Sequence, residues 1–546
     1  MGAGQREGSA GEGGTLPKGC PSLVSPQLGD IMSSAWKSFR RGYRTPPSET
    51  GKAFGLPDED AVRRLTDTFV VNDLKEEYYY SQNDVIMDAF NNHLELVNKN
   101  PNLYRDIVKI LKPVMLDCQK TIAALYLFDR NIDRKLALEL LKEVRPTWKI
   151  TFFYMLKKPM PFMDLSRKGW GRSIRRLAYE LLLKDLPAFY AIKYRSKLVH
   201  IARWAHVKPE TPSLKFLFRK TRKSEDVLNH EYFRDYFELK EDQSIERLYK
   251  TDLPFTVLKG ILGKKINDPK VFKAVMHTMT VFETLLSLRQ IENRGLLNDR
   301  HVQDFIMNKL SSETLMKMRI DVVELMQAYR RVSHPFAKMI LEMAITSQIK
   351  AISESLRKYL EGKKVAVVFD TSGSMSSVLD WSLAISLACA MINPESTKLI
   401  AFADEAVTLP IKTDIKEALE LYRRAVPSGG TALGLALIEA LKHNPDIIIF
   451  ISDFEGNIEP WSDKVYEEFV KVNGRFPEVV SIKFTTSPWT AYGEITALRT
   501  GRWLGIPKEH KIVIRNVWDL PTMLEYIFNL LPLIMKKKKE IISYVT

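Results

Sequence analysis

Cysteine is nearly absent: a chain of 546 residues holds only Cys20, Cys118 and Cys389. They are too few and too scattered for a disulfide framework or a cysteine-based zinc site, so a reducing compartment is the expectation. No uninterrupted apolar run approaches the roughly 18 residues needed to span a bilayer. The N-terminus lacks the apolar core of a signal peptide, and a cytoplasmic protein without membrane attachment is expected. A clean internal repeat is also missing. What is present, 45% apolar and 27% charged residues, is the composition of a folded chain, at a length that exceeds one core and implies two or more domains.

Acidic residues are scarce in one part only. From Lys363 to Thr546 the 21 Lys and Arg are balanced by 22 Asp and Glu. The whole excess behind the net charge of +15 therefore lies before Lys363. A localised positive excess favours polyanions, RNA or DNA foremost.

Residues 1–50 are rich in Gly, Ser and Pro and are expected to form a disordered arm, with Lys37, Arg40, Arg41 and Arg44 close together. Residues 58–360 read as helical nearly throughout. Apolar residues recur at three and four in the stretch beginning Asn102, in Arg134 to Val144, Ser173 to Leu183, Pro269 to Leu288 and Val322 to Ala328. Amphipathic helices in series, none able to bury its face alone, predict a stacked HEAT-like repeat array. Its most basic segment, Asp164 to Lys223, carries sixteen Lys or Arg against four acids and interleaves Trp170, Tyr190, Tyr194, Trp204, Phe216 and Phe218. Two readings stand: aromatics that stack on unpaired bases beside cations that meet phosphates, or aromatics in a core beneath a solvated cationic face. His200 and His206 likewise read as RNA contacts or as capped or core histidines.

After the Glu361-Gly362-Lys363 linker the pattern changes, and residues 363–546 alternate strands and helices as a doubly wound α/β domain does. The apolar run Val365 to Phe369 predicts a strand buried on both faces and ends in Asp370-Thr-Ser372-Gly-Ser374. In open parallel sheets ligands sit beyond the carboxyl ends of strands. The motif alone is equally an ordinary capped turn. Two later segments raise it to a candidate cation site: the Gly-rich loop Pro427-Ser428-Gly429-Gly430-Thr431, and the strand Asp446 to Ser452 ending in Asp453. Hydroxyls and carboxylates suit Mg²⁺ or another hard divalent cation. A phosphotransferase of the haloacid-dehalogenase type would need a second Asp where Ser372 stands. No nucleophile or general base can be nominated near Asp370, and no enzymatic activity is expected.

These segments resemble a von Willebrand factor type A domain from about Lys363 to Asn529. The resemblance implies that Ser372, Ser374 and Thr431 are direct ligands, that Asp370 and Asp453 hold the metal through water, and that a partner protein supplies an acidic group. Within the basic segment, Gly169-Trp170-Gly171-Arg172-Ser173-Ile174-Arg175-Arg176, Lys193-Tyr194-Arg195 and His206-Val207-Lys208-Pro209 resemble the Ro autoantigen family. Leu253-Pro254-Phe255-Thr256-Val257-Leu258 and His334-Pro335-Phe336 follow in that family's order. Its helical TROVE domain forms a ring ahead of a von Willebrand A domain. The resemblance implies a scaffold in RNA quality control, with Y RNA-like small non-coding RNA on the ring's basic outer surface and the single-stranded end of misfolded RNA in its hole. One departure is local: where the family has its first His, this chain has Leu198, and His200 is displaced by two residues.

The expected phosphate contacts are Arg172, Arg175, Arg176, Lys193, Arg195, Arg203 and Lys208, joined by His200 and His206. An exoribonuclease is a candidate further partner, and a monomer is expected. The competing reading is a metal-dependent adaptor of a MoxR-type AAA ATPase that binds no RNA.

Overall fold

The computed structural model describes residues 65, 68–69, 82–166, 170–318, 320–412, 414, 417–418, 429–484, 503–507, 509–514, 516–530 and 532–534. The basic arm expected within residues 1–50 and the lysine run 536–539 lie outside them, as does most of the helix expected near Ile415 to Ala425. The described chain is predominantly helical as far as Leu360, and a mixed six-stranded sheet follows. Among the described residues no helix is long and apolar enough to cross a membrane.

Side-chain caps set where some of the helices start. In α1 (Gln82–Lys99) and α2 (Pro101–Leu111) the break is made by Asn100, whose side chain accepts from the Leu103 N–H, with Pro101 as the first helical residue. The first of these helices packs on α3 (Asp117–Asp129), which is buried along most of its length. Between them lies His93, fully buried: Nε2 is 2.9 Å from Gln119 Oε1, Nδ1 is 2.7 Å from the Tyr104 hydroxyl, and the Phe69 ring centre is 4.9 Å away.

Farther along lie α4 (Pro146–Lys157), α5 (Arg172–Ala178) and α6 (Arg195–Trp204). The helix expected over Ser173 to Leu183 is α5 followed by a π turn at Tyr179–Leu183. The helix expected over Pro269 to Leu288 is broken into Pro269–Val275, a 3₁₀ turn at Met276–Thr278, and Val281–Asn293. The cause is a capping box: Thr280 Oγ1 accepts the Glu283 N–H while the Glu283 carboxylate accepts the Thr280 N–H, so a new helix starts inside a continuous apolar pattern.

The helical part ends with α7 (Val322–Arg331) and the long α8 (Pro335–Leu360). Gly362, at φ 74°, turns the chain into the sheet. Its order is β3-β2-β1-β4-β5-β6, with β1 Val365–Asp370, β2 Thr397–Phe402, β3 Ala406–Leu409, β4 Ile447–Ile451, β5 Glu478–Phe484 and β6 Glu509–Ile514. All neighbours are parallel except β2 and β3, which pair antiparallel. Only three residues separate those two strands, too few for a crossover, so the expected doubly wound sheet gains an antiparallel edge. The apolar pattern predicts the last strand over Lys511 to Val517; the described strand is Glu509–Ile514, and residue 515 lies outside the described residues. Two helices pack on β1 and β2: α9 (Leu379–Ala390), which follows the first strand, and α10 (Leu433–Leu441), which precedes β4.

Helical part and sheet part are joined by polar contacts. Arg330 on α7 pairs with Asp380 in the first turn of α9, and Trp381 Nε1 donates to Asp321 Oδ2 at 3.1 Å. Trp518 Nε1 lies 3.1 Å from the Ile320 carbonyl oxygen and 3.2 Å from Gln348 Oε1 on α8. Near the end of α8, Lys358 Nζ is 2.6 Å from Glu525 Oε2, which also accepts from the Tyr359 hydroxyl. These two hydrogen bonds hold the Glu525 carboxyl down to about 2.

His93 supplies a stability prediction. Burial pushes its pKa from 6.5 down to about 3, against the Gln119 hydrogen bond. Between those values the unfolded chain binds a proton that the folded chain refuses, so stability falls as pH drops from about 6.5 toward 3, by roughly 1.4 kcal/mol per pH unit. Urea unfolding from pH 7 to pH 5 should show this slope in the wild type. His93→Gln should be less stable at pH 7 and should lose this part of the slope.

Candidate metal centre and nucleic-acid interface

The strand order reverses between β1 and β4, and in open α/β sheets the crevice beyond the strand ends at such a switch point is where ligands bind. The first strand ends there in Asp370 and the fourth runs into Ser452 and Asp453, all three buried. Asp370 Oδ1 accepts the Ser372 N–H at 2.8 Å, and Asp370 Oδ2 accepts the Ser452 hydroxyl at 2.5 Å. Ser372 Oγ and Ser374 Oγ are 3.1 Å apart. The Thr371 hydroxyl donates to the Phe402 carbonyl oxygen at 2.9 Å and fastens this loop to β2.

Thr431 reaches the same edge through two hydrogen bonds. Its N–H donates to Asn457 Oδ1 at 2.7 Å, and its carbonyl accepts the Asn457 N–H at 3.1 Å, which laces the Gly-rich loop to the loop after Asp453. The Ala432 N–H donates to the Ala403 carbonyl, just past β2. Close approach explains the glycines: a Cβ on Gly429 would meet the Asp404 carboxylate and one on Gly430 would meet Asn457 Oδ1. Pro427 and Ser428 lie outside the described residues.

The electrostatics are those of an oxygen cluster short of positive charge. Asp453 is 1% exposed, and while its Oδ1 accepts the Glu455 N–H at 3.1 Å, its Oδ2 is buried and accepts no hydrogen bond among the described residues. Burial first, and then the Asp453 charge, push the Asp370 carboxyl up to about 6. An orphaned carboxylate oxygen, a second carboxylate that resists ionisation, and three hydroxyl side chains on converging loops fit a hard divalent cation. Among the described residues no group of three or more His, Cys, Asp or Glu could hold a metal, so the hydroxyls are indispensable to any such site.

The basic surface is built differently. On α5, Ile174 and Ala178 point into the core while Arg172, Arg175 and Arg176 are exposed. On α6, Leu198, Ile201 and Ala202 are buried, His200 and Arg203 are exposed, and Arg195 is half-buried. Just beyond it, His206 and Lys208 are exposed. Lys193 is half-buried, its ammonium 5.2 Å from the Phe189 ring centre and 5.6 Å from that of Tyr194. The two helices meet where Trp170 and Trp204 lie 5.6 Å apart, with His200 6.0 Å from Trp204. Burial, then Arg203 and Lys158, push the His200 imidazole below its usual value.

None of Arg172, Arg175, Arg176, Arg195, Arg203 and Lys208 forms an ion pair among the described residues, whereas Lys112, Lys120, Arg130, Lys215 and Lys273 all do. For the aromatics, Trp170, Tyr194 and Phe216 are buried, Phe216 against Phe233, and only Tyr190, Trp204 and Phe218 are half-buried. The core reading therefore holds for the first three, and they are not available for stacking on bases. Gly169 lies outside the described residues.

Four residues escaped the sequence reading. Ser452 sits beside an identified carboxylate, and Lys483 is a charge inside an apolar strand; both had a local signal. Asn457 and Asp404 had none, since each acts through a loop closure that appears only in three dimensions. No known protein-family model matches the chain, and no curated protein matches it.

The loop packing yields a prediction. A Cβ on Gly434, near the start of α10, would overlap the Pro460 carbonyl oxygen. Alanine normally favours a helix, but here it must push backbone aside. Gly434→Ala should destabilise by roughly 1–3 kcal/mol, measured by urea midpoint.

Proposed function

We propose that the chain is an RNA-binding scaffold in non-coding RNA quality control, built as a HEAT-like TROVE ring followed by a von Willebrand A domain. It takes Y RNA-like structured RNA and the single-stranded ends of misfolded RNA. The observation that carries this reading is the set of exposed cations on α5 and α6, Arg172, Arg175, Arg176 and Arg203, which form no ion pair among the described residues and so are open to phosphates, whose counterions they would release. Positioning comes from Arg172, Arg175, Arg176, Lys193, Arg195, Arg203 and Lys208, with sequence discrimination minor. Half-buried Trp204, with His200 6.0 Å away and the Lys158 ammonium 6.0 Å from its ring centre, offers a mixed aromatic and cationic spot.

In the sheet domain, Ser372, Ser374 and Thr431 would hold Mg²⁺ or a similar cation directly, and Asp370 and Asp453 through water. Bound there, the cation would supply a Lewis-acidic contact for a carboxylate from a protein partner. The chain's own work is to hold the oxygens out of water and in place: Ser452 orients Asp370, and Asn457 anchors the Thr431 loop. This favours a binding role over catalysis. The same cluster alone would also serve a metal-dependent adaptor of an AAA ATPase, which needs no RNA.

Crosslinking followed by sequencing of RNA recovered with the full-length protein tests the choice; RNA-free protein with a co-purifying ATPase would favour the adaptor. In filter binding, log affinity should fall with log salt by roughly 0.7 for each phosphate met on a single strand. Replacing Arg172, Arg175 and Arg176 together by Gln should flatten the slope by about 2. An unchanged slope removes these arginines from the interface.

A further inference from the structure

The fifth strand carries a charge where its neighbours are apolar. It reads Glu-Val-Val-Ser-Ile-Lys-Phe, and Lys483 is 3% exposed. Ile451 on β4 pairs with Ile482 on β5, so the next residues along, Ser452 and Asp453 on one strand and Lys483 on the other, lie side by side at the edge of the candidate cation site. The ammonium is 4.6 Å from the centre of the Trp503 ring and 5.6 Å from that of Phe454, the residue directly after Asp453.

Carboxylates face it from the loop after β4 and from the start of β6. Burial pushes Lys483 down to about 8, while Glu455, Asp453 and Glu509 pull the other way and Lys511 adds to the push. Glu509 itself is buried, takes the Ser481 hydroxyl, and is 3.9 Å from Lys511 Nζ. A buried ammonium is tolerated only where anions and π faces replace its water, and both are present here.

We propose that Lys483 is the resident counter-charge of this sheet edge: its ammonium offsets Asp453 and so lowers and tunes the affinity of the neighbouring oxygen cluster for a divalent cation. The inference rests on the cation-site reading given above. Lys483 acts through electrostatics on the ligating groups and is a positioning residue. With it in place, the two carboxylates coexist in a dry site without metal, and a cation entering the cluster meets an ammonium close by.

The test is calorimetric titration of the full-length protein with MnCl₂ and MgCl₂. Lys483→Met should tighten the Mn²⁺ dissociation constant about tenfold or more, and Lys483→Gln should move it in the same direction if Met perturbs the fold. Lys483→Arg, which keeps the charge, and Lys511→Met, which removes a neighbouring exposed charge, should stay within about threefold of wild type. Unchanged or weaker affinity in both neutral variants, with wild-type binding abolished by Asp370→Ala, overturns the role of Lys483 while the cation site stands. Absence of Mn²⁺ binding in the wild type and in every Lys483 variant overturns the cation site, and the inference with it. Binding gained only when Lys483 is neutralised supports the inference in its strongest form.

Discussion

The sheet half of this protein is organised by two carboxylates kept dry at the ends of adjacent parallel strands. Asp370 and Asp453 stand at the point where strand order reverses, and neither can relax toward solvent. Like charges at close quarters in a poor dielectric are costly, and several nearby groups reduce that cost. Ser372 and Ser452 donate to Asp370, the Glu455 amide donates to Asp453, and Lys483 approaches from the next strand. The constraint also explains the glycines on the facing loop, where a side chain would strike Asp404 or Asn457.

The helical half obeys the opposite rule. There, Arg172, Arg175, Arg176, Arg195 and Arg203 on α5 and α6 form no ion pair among the described residues, while Lys112, Lys120 and Arg130 do. Burial of Ile174 and Ala178 on α5 and of Leu198, Ile201 and Ala202 on α6 roots those helices in the core and leaves their outer faces to charge. A packed base beneath exposed cations is the arrangement on which the proposed polyanion contact rests.

Much of this was legible in the chain itself. The apolar runs ending in Asp370 and Asp453 announce buried strands with a carboxylate at each end, because burial on both faces demands continuous apolar residues. The change from helical to alternating pattern after Leu360 was equally plain, and α8 ends there. The antiparallel β3 was missed, since four residues with one buried give no periodic signal. The break at Thr280 was missed because its capping box interrupts no apolar repeat, and the aromatics of the basic segment were ambiguous because composition does not say which way a ring points. Asn457 and Asp404 belong to the same class: their roles depend on which loops touch.

The contacts between the two halves bear on how this polypeptide can be dissected. Arg330, Asp321, Gln348, Lys358 and Tyr359 all lie before Gly362, and their partners Asp380, Trp381, Trp518 and Glu525 all lie after it. A cut at that glycine would follow the apparent seam in the secondary structure, yet it would strip two indoles and two carboxylates of their complements at once. Any shortened C-terminal fragment meant to behave like the parent must therefore carry residues 320–360 as its own scaffold.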